Sequence, residues 1–148
     1  MSEPSDSDSL LLRQGRFVLL WHELPEHFDR RSHYDLMLES GKTLKTWEIL
    51  EFPRAGVALS SRRLADHRIE YLSYEGPISG GMGTVSQVDS GTFVINSDRE
   101  PTEIDLIGRK ATISLRFSPF LNHPDCEILC LRASDSLGMC DSPPQDGR

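Results

Sequence analysis

Long hydrophobic runs are missing from this 148-residue chain; none approaches the roughly 20 residues that span a bilayer. The opening "MSEPSDSDSLLLRQ" lacks the basic region of a secretory signal. Cysteine is scarce: Cys126, Cys130 and Cys140 make an odd, late cluster. That pattern is no disulfide framework, and the expected compartment is the reducing cytoplasm. No second Cys/His pair stands at zinc spacing, so Cys126 and Cys130 in "DCEILCLR" read as buried strand residues. Sustained helical periodicity is also absent, which argues against a βαβ nucleotide fold. So is an excess of positive charge. The net charge of −7 excludes a simple polyanion sponge, although the acidic ends account for most of it. The middle, at −2, leaves room for a local basic groove from Arg30, Arg31, Arg62, Arg63 and Arg68.

What remains is β-rich. Residues 16–22, "RFVLLWH", form a strongly apolar strand, and "SHYDLMLE" (32–39) alternates. "SGK" turns the chain into "TLKTWEIL" (43–50), and Pro53 and Gly56 break it. "SSRRLADHR" reads as one helical turn and "IEYLSYEG" (69–76) as an extended segment. "PISGGMG" is a glycine loop, followed by a hairpin over 84–97 that turns at Asp89-Ser90-Gly91. Strands over 103–108, 110–119 and 126–134 complete the body. Seven or eight short strands with regular turns, and one or two short helical turns, predict a mostly β fold. The architecture expected is a small closed or partly open β-barrel over residues 14–133. Residues 1–13 and 134–148, rich in Ser, Asp and Pro, are expected to be disordered tails.

Chemistry concentrates in "RRSHYDLMLE". Strand side chains alternate, so His33, Asp35, Met37 and Glu39 share one face, while Tyr34, Leu36 and Leu38 face the core. A histidine and a carboxylate at i and i+2 can reach one ion, and a mixed N/O set suits Mn²⁺, Fe²⁺ or Zn²⁺ better than Ca²⁺. H-x-D alone is equally a surface histidine beside an acid. A third ligand must come from His22, at a strand end, or His27, in the loop that follows. Farther on, "ADHRIEY" offers His67, Arg68 and Tyr71, a histidine beside an arginine of the kind that phosphate chemistry uses, or an ordinary polar turn.

In order, "RFVLLWH", "HYDLMLE", "LKTWEIL", "DHRIEYLSYEG", a glycine loop and "DSGTF" resemble the 3′-phosphoesterase domain of bacterial DNA ligase D, as a free-standing member. The resemblance covers residues 16–95; the last third matches only as generic strands. It implies a β-barrel enzyme that uses a divalent metal, typically manganese. Such an enzyme acts on 3′ ends in strand-break repair by non-homologous end joining, removing a terminal ribonucleoside and then the 3′-phosphate.

By the same resemblance, His33 and Asp35 are metal ligands with His22 as the third, or His27 as its alternative. His67 and Tyr71 match active-site positions, and Arg63 or Arg62 the family's upstream arginine; Arg68, beside His67, is a further candidate phosphate contact on its own chemistry. Expected partners are nucleic-acid 3′ ends and separate ligase or polymerase proteins, with no membrane. Four departures stand out: Met37 where the family carries arginine, Glu51 where it carries lysine, a deletion near Arg62 and Arg63, and no counterpart of its N-terminal arm. They favour, as an alternative, a non-catalytic metal- or nucleic-acid-binding module. A second alternative takes H-x-D with His123 and Arg132 as a non-haem iron oxygenase site, but it leaves "DHRIEYLSYEG" without a role.

Overall fold

The computed structural model describes residues 14–97, 99–120 and 123–135. The expected N-terminal tail and most of the C-terminal one lie outside them, as does Cys140. Among the described residues nine strands form one antiparallel sheet: β1 (Gln14–Glu23), β2 (His33–Ser40), β3 (Thr43–Ile49), β4 (Ala58–Arg68), β5 (Gly76–Pro77), β6 (Thr84–Ser97), β7 (Thr102–Gly108), β8 (Ala111–Ser118) and β9 (Asp125–Asp135). The order is β1-β2-β3-β4-β9-β8-β7-β6-β5, and β1 also pairs with β6. That last pairing closes an eight-stranded barrel, with β5 as a short flap on β6. β9 runs two residues past the expected limit at 133.

Two apolar clusters explain the strand sequences. Inside the barrel lie Phe17, Leu19, Leu36, Leu38, Trp47, Phe93 and Phe117, among others. Outside it, Val18, Leu20, Met37, Leu44 and Val85 form a second cluster, covered by Ile69, Tyr71, Leu72 and Ile78. β1 is therefore buried on both faces, and its apolar run is continuous instead of alternating. The covering segment, residues 69–83, includes a 3-10 turn at Ile69–Leu72, β5 and the glycine loop.

Three local readings of the sequence are corrected. The helical turn expected in "SSRRLADHR" is strand β4, and the turn instead occupies Ile69–Leu72, which had read as extended. β4 is specified by pairing with β3 and β9, which overrides its polar local sequence. Nor does Asp89-Ser90-Gly91 reverse the chain, because β6 runs through it as one strand. Val88 is an extra residue between the Leu19–Asp89 and Leu20–Gln87 partners, so the strand bulges without turning. Asp89 serves another turn: its carboxylate accepts the amides of Ser90, Arg109, Lys110 and Ala111 across the β7–β8 connection. Gly91 is needed because a Cβ there would meet the Ile107 carbonyl oxygen at 2.1 Å.

Trp47 anchors the interior. It is fully buried, stacks on Phe120 at 5.2 Å and meets Phe117 edge-on at 5.1 Å. Cys126 and Cys130 are buried free thiols on β9, as expected, and burial pushes both above the ordinary thiol range. Trp47→Ala is expected to cost about 3–5 kcal/mol in urea unfolding. A loss under about 1 kcal/mol would show that the interior is not organised around this ring.

Candidate metal centre

Register places the site. His22 on β1 stands directly opposite His33 on β2, and Leu20 opposite Asp35. His22, His33 and Asp35 therefore project from the same outer face of the barrel, beneath the 69–83 segment. Their nitrogen and carboxylate ligand atoms all lie within 4.8 Å of one another. His33 and Asp35 are 1 % and 2 % exposed, so this is a buried floor. His27, the alternative third ligand, is exposed in the loop against Phe28 and outside the cluster.

The hydrogen bonds fix which ring atoms face inward. His33 Nδ1 lies 2.8 Å from the Arg31 carbonyl oxygen, and His22 Nε2 lies 2.7 Å from that of Met82. A carbonyl accepts only, so each of these nitrogens carries its proton and donates. In the neutral rings the remaining nitrogens present lone pairs. His33 Nε2 is 3.2 Å from Asp35 Oδ1, and His22 Nδ1 is 3.5 Å from Oδ2. Both His33 Nε2 and Asp35 Oδ1 are buried without a hydrogen-bond partner. Lone pairs facing a carboxylate repel unless a proton or a cation lies between them. Separations near 3 Å are those of donors sharing one ion at about 2.1 Å. A backbone carbonyl behind each ligand imidazole is the usual support of a metal site. The donor set thus fits a divalent cation held by His22, His33 and Asp35.

Burial alone would raise the Asp35 pKa, but hydrogen bonds and charge from His22 and His33 outweigh it and hold the carboxyl below its usual range. Burial likewise opposes protonation of His33. Asp35, the Arg31 carbonyl and Glu48 overcome that and raise its pKa.

These three side chains floor a cleft of about 270 Å³, whose walls include Arg30, Met37, Leu64, His67, Tyr71 and Met82. A bulge aims His67 there. Thr46 pairs with Leu64 but Leu44 with His67, so β4 carries one extra residue and both Leu64 and His67 face outward. His67 donates from Nδ1 to the Ala65 carbonyl at 2.9 Å, leaving Nε2 free toward the cleft, and Tyr71 meets its ring edge-on at 5.7 Å.

None of the arginines expected to contact phosphate, Arg62, Arg63 and Arg68, lines the cleft. Arg63 pairs with Trp47 on the inward side of β4; its guanidinium lies 5.0 Å from the indole centre and 3.6 Å from Asp66. Arg68 is exposed and does not line the cleft. Arg30, which the sequence offered only as part of a general basic groove, lines it instead. Glu51 is exposed beside Arg54, His123 sits in a loop against the Asp125 backbone, and Arg132 reaches Ser114. Neither His123 nor Arg132 joins the cluster, so the oxygenase constellation is not assembled among the described residues.

Fold and site together define a small β-barrel protein with two histidines and an aspartate gathered on its outer face in an arrangement that fits a divalent metal. The chain belongs to the DNA ligase D 3′-phosphoesterase domain family, whose model matches residues 25–118. It is also similar to the multifunctional non-homologous end joining protein LigD of Mycolicibacterium smegmatis, 35 % identical over 89 residues, covering 55 % of this chain and 11 % of that protein. The chain thus corresponds to about a tenth of that relative's length. The family match includes His33, Asp35, His67 and Tyr71 but begins three residues after His22, whose place in the site rests on the β1–β2 register.

Two outcomes are expected here. Gly83 has φ +84°, and a Cβ there would meet the Glu23 carbonyl oxygen at 1.9 Å. Gly83→Ala should therefore displace the loop holding the Met82 carbonyl and weaken Mn²⁺ binding by roughly 10–100-fold, measured by titration calorimetry. Unchanged affinity would show that the carbonyl does not matter to His22.

The second concerns pH. The raised His33 pKa contributes stability present below its unfolded value, about 6.5, and lost as pH rises through the higher folded value. The depressed Asp35 pKa contributes stability present above about 3.9 and lost as pH falls through the lower folded value. The metal-free protein gains from the pair between those limits, whereas metal needs neutral imidazole. The rise in Tm on adding Mn²⁺ should grow steadily from pH 5 to 8; a pH-independent rise would contradict the ligand set.

Proposed function

We propose that this domain is a metal-dependent phosphoesterase that clears blocked 3′ ends of DNA, or of DNA tipped with ribonucleotide, during end-joining repair. The observation that carries the reading is the convergence of two tautomer-locked imidazoles and a buried carboxylate, in a cleft also lined by His67 and Tyr71. Manganese is the metal proposed: the donor set suits Mn²⁺, Fe²⁺ or Zn²⁺, and the family resemblance favours manganese among them. Bound by His22, His33 and Asp35, a divalent cation supplies Lewis acidity to a phosphoryl oxygen.

The chain's own groups do the rest. His67, fixed at Nδ1 by the Ala65 carbonyl, presents Nε2 to the leaving 3′-oxygen. Protonated, it donates there as the P–O3′ bond breaks and the attacking water's oxygen bonds to phosphorus. The products from a phosphomonoester are a 3′-hydroxyl and inorganic phosphate, and a proton of the attacking water, shed by the phosphate, restores the acid form of His67. Tyr71 packs on His67 and fixes its ring plane. The apolar wall of Met37, Leu64, Ile78 and Val85 thins the water around the phosphoryl group, which strengthens every charge interaction in the cleft. Arg31, Arg62 and Arg68 are exposed cations that suit a polyanion despite the acidic whole. Separate ligase or polymerase proteins would use the cleared end, in the reducing cytoplasm.

Met37, apolar on the cleft wall, favours a second reading: a barrel that holds metal and nucleic acid without turnover. A labelled primer–template ending in 3′-phosphate or a 3′-ribonucleotide separates the two. Mn²⁺-dependent product, abolished together with Mn²⁺ binding in His33→Ala and Asp35→Ala, is the expected outcome. Salt-sensitive binding without product would replace the enzyme with the module. Full activity of either variant under chelator control would end the metal assignment.

A further inference from the structure

We propose that Arg30, tethered by Glu48, is the phosphate-gripping cation of the cleft; this rests on the phosphoesterase reading and assigns the contact that Met37 cannot make. Among the described residues Arg30 is the only lysine or arginine that lines the cleft. It comes from neither the β2 face nor the "ADHR" segment, but from the loop over residues 24–32 that joins His22 to His33. That loop is closed at its base, where the Leu24 amide donates to Ser32 Oγ at 2.8 Å. It is turned by the Phe28 amide, which donates to the Pro25 carbonyl at 3.0 Å. The cation is thus carried on the same covalent bridge that connects two of the three metal ligands.

Glu48 explains why the guanidinium sits over the cleft. It stands opposite Asp35 across the β2–β3 ladder, on the outer face of the barrel. Two carboxylates facing one another across a sheet repel. Arg30 Nη2 donates to Glu48 Oε1 at 2.6 Å and offsets that repulsion. The side chain of Glu48 is 11 % exposed and that of Arg30 is 39 % exposed. The carboxylate is the fixed half of the pair and the guanidinium the accessible half. The Arg30 Nε and Nη1 hydrogens make no hydrogen bond among the described residues, so one edge of the fork remains for phosphate oxygens. As a partly exposed ion pair alone the contact would add little to stability; at the rim of a metal-bearing cleft the same geometry selects an anion.

The test uses the full chain loaded with Mn²⁺ and two probes, a fluorescent oligonucleotide ending in 3′-phosphate and its 3′-hydroxyl twin. Arg30→Ala should leave Mn²⁺ affinity unchanged, lower kcat/KM on the 3′-phosphate substrate on the order of 10²-fold, and erase the tighter binding of the phosphorylated probe. Arg30→Lys should recover only part of both, because a point charge replaces a fork. Glu48→Ala should weaken turnover far more in the wild-type background than once Arg30 is alanine, the signature of a positioning residue acting chiefly through Arg30. Wild-type kcat/KM and probe preference in Arg30→Ala would overturn the assignment, and an equal Glu48→Ala loss in both backgrounds would overturn the tether. If the wild-type protein does not turn over the 3′-phosphate probe, the phosphoesterase reading fails. The probe comparison still decides Arg30: preference lost in Arg30→Ala supports it, and preference retained, or absent from the wild type, refutes it.

Discussion

Two backbone carbonyls govern what the outer face of this barrel can do. By taking the far protons of His22 and His33, the Met82 and Arg31 oxygens point the near nitrogens at Asp35. Three electron-rich atoms are then confined in a nearly dry floor. Such an arrangement is stable only with a positive charge among them, whether proton or metal. Each carbonyl belongs to a different piece of chain, one to the loop joining the histidines and one to the glycine-rich cover. The centre is therefore assembled from strands that hold the ligands and loops that hold the tautomers.

The double burial of β1 and β2 makes this possible. An ordinary barrel wall has one wet face, where an imidazole and a carboxylate would be screened and mobile. Here the segment over residues 69–83 packs on Val18, Leu20, Met37, Leu44 and Val85, so the outer wall has its own small core. The site lies at the edge of that core, dry on one side and open to the cleft on the other. Its cover also delivers Tyr71 and the Met82 carbonyl. Packing of the cover and order of the site are thus one event.

Much of this was legible in the sequence. The strand period put His33 and Asp35 on one face, and the strand-end His22, fixed by ladder pairing more tightly than a loop histidine, is the one the structure brings beside them. The closed barrel followed from short strands with turn residues between them. The errors have a common origin in long-range pairing. β4 looked polar and turn-like, yet two neighbours hold it as a strand. The Asp89-Ser90-Gly91 turn signal was genuine chemistry used elsewhere, Asp89 capping a distant connection and Gly91 making room for β7. Arg63 was chosen for its nearness in sequence to His67, but strand alternation sends it inward against Trp47, while Arg30 arrives from a loop whose path no local pattern encodes.

The extra residue in β4 has a consequence for how such chains diverge. It reverses the parity of everything after Leu64, so His67 looks outward although an unbroken count from Leu64 would turn it into the barrel. Losing or gaining a single codon within this stretch would swap the roles of inner and outer side chains at a stroke, whereas a change of two would preserve them. Length drift among descendants should therefore come in even steps here, and the odd step should be the rarer lineage.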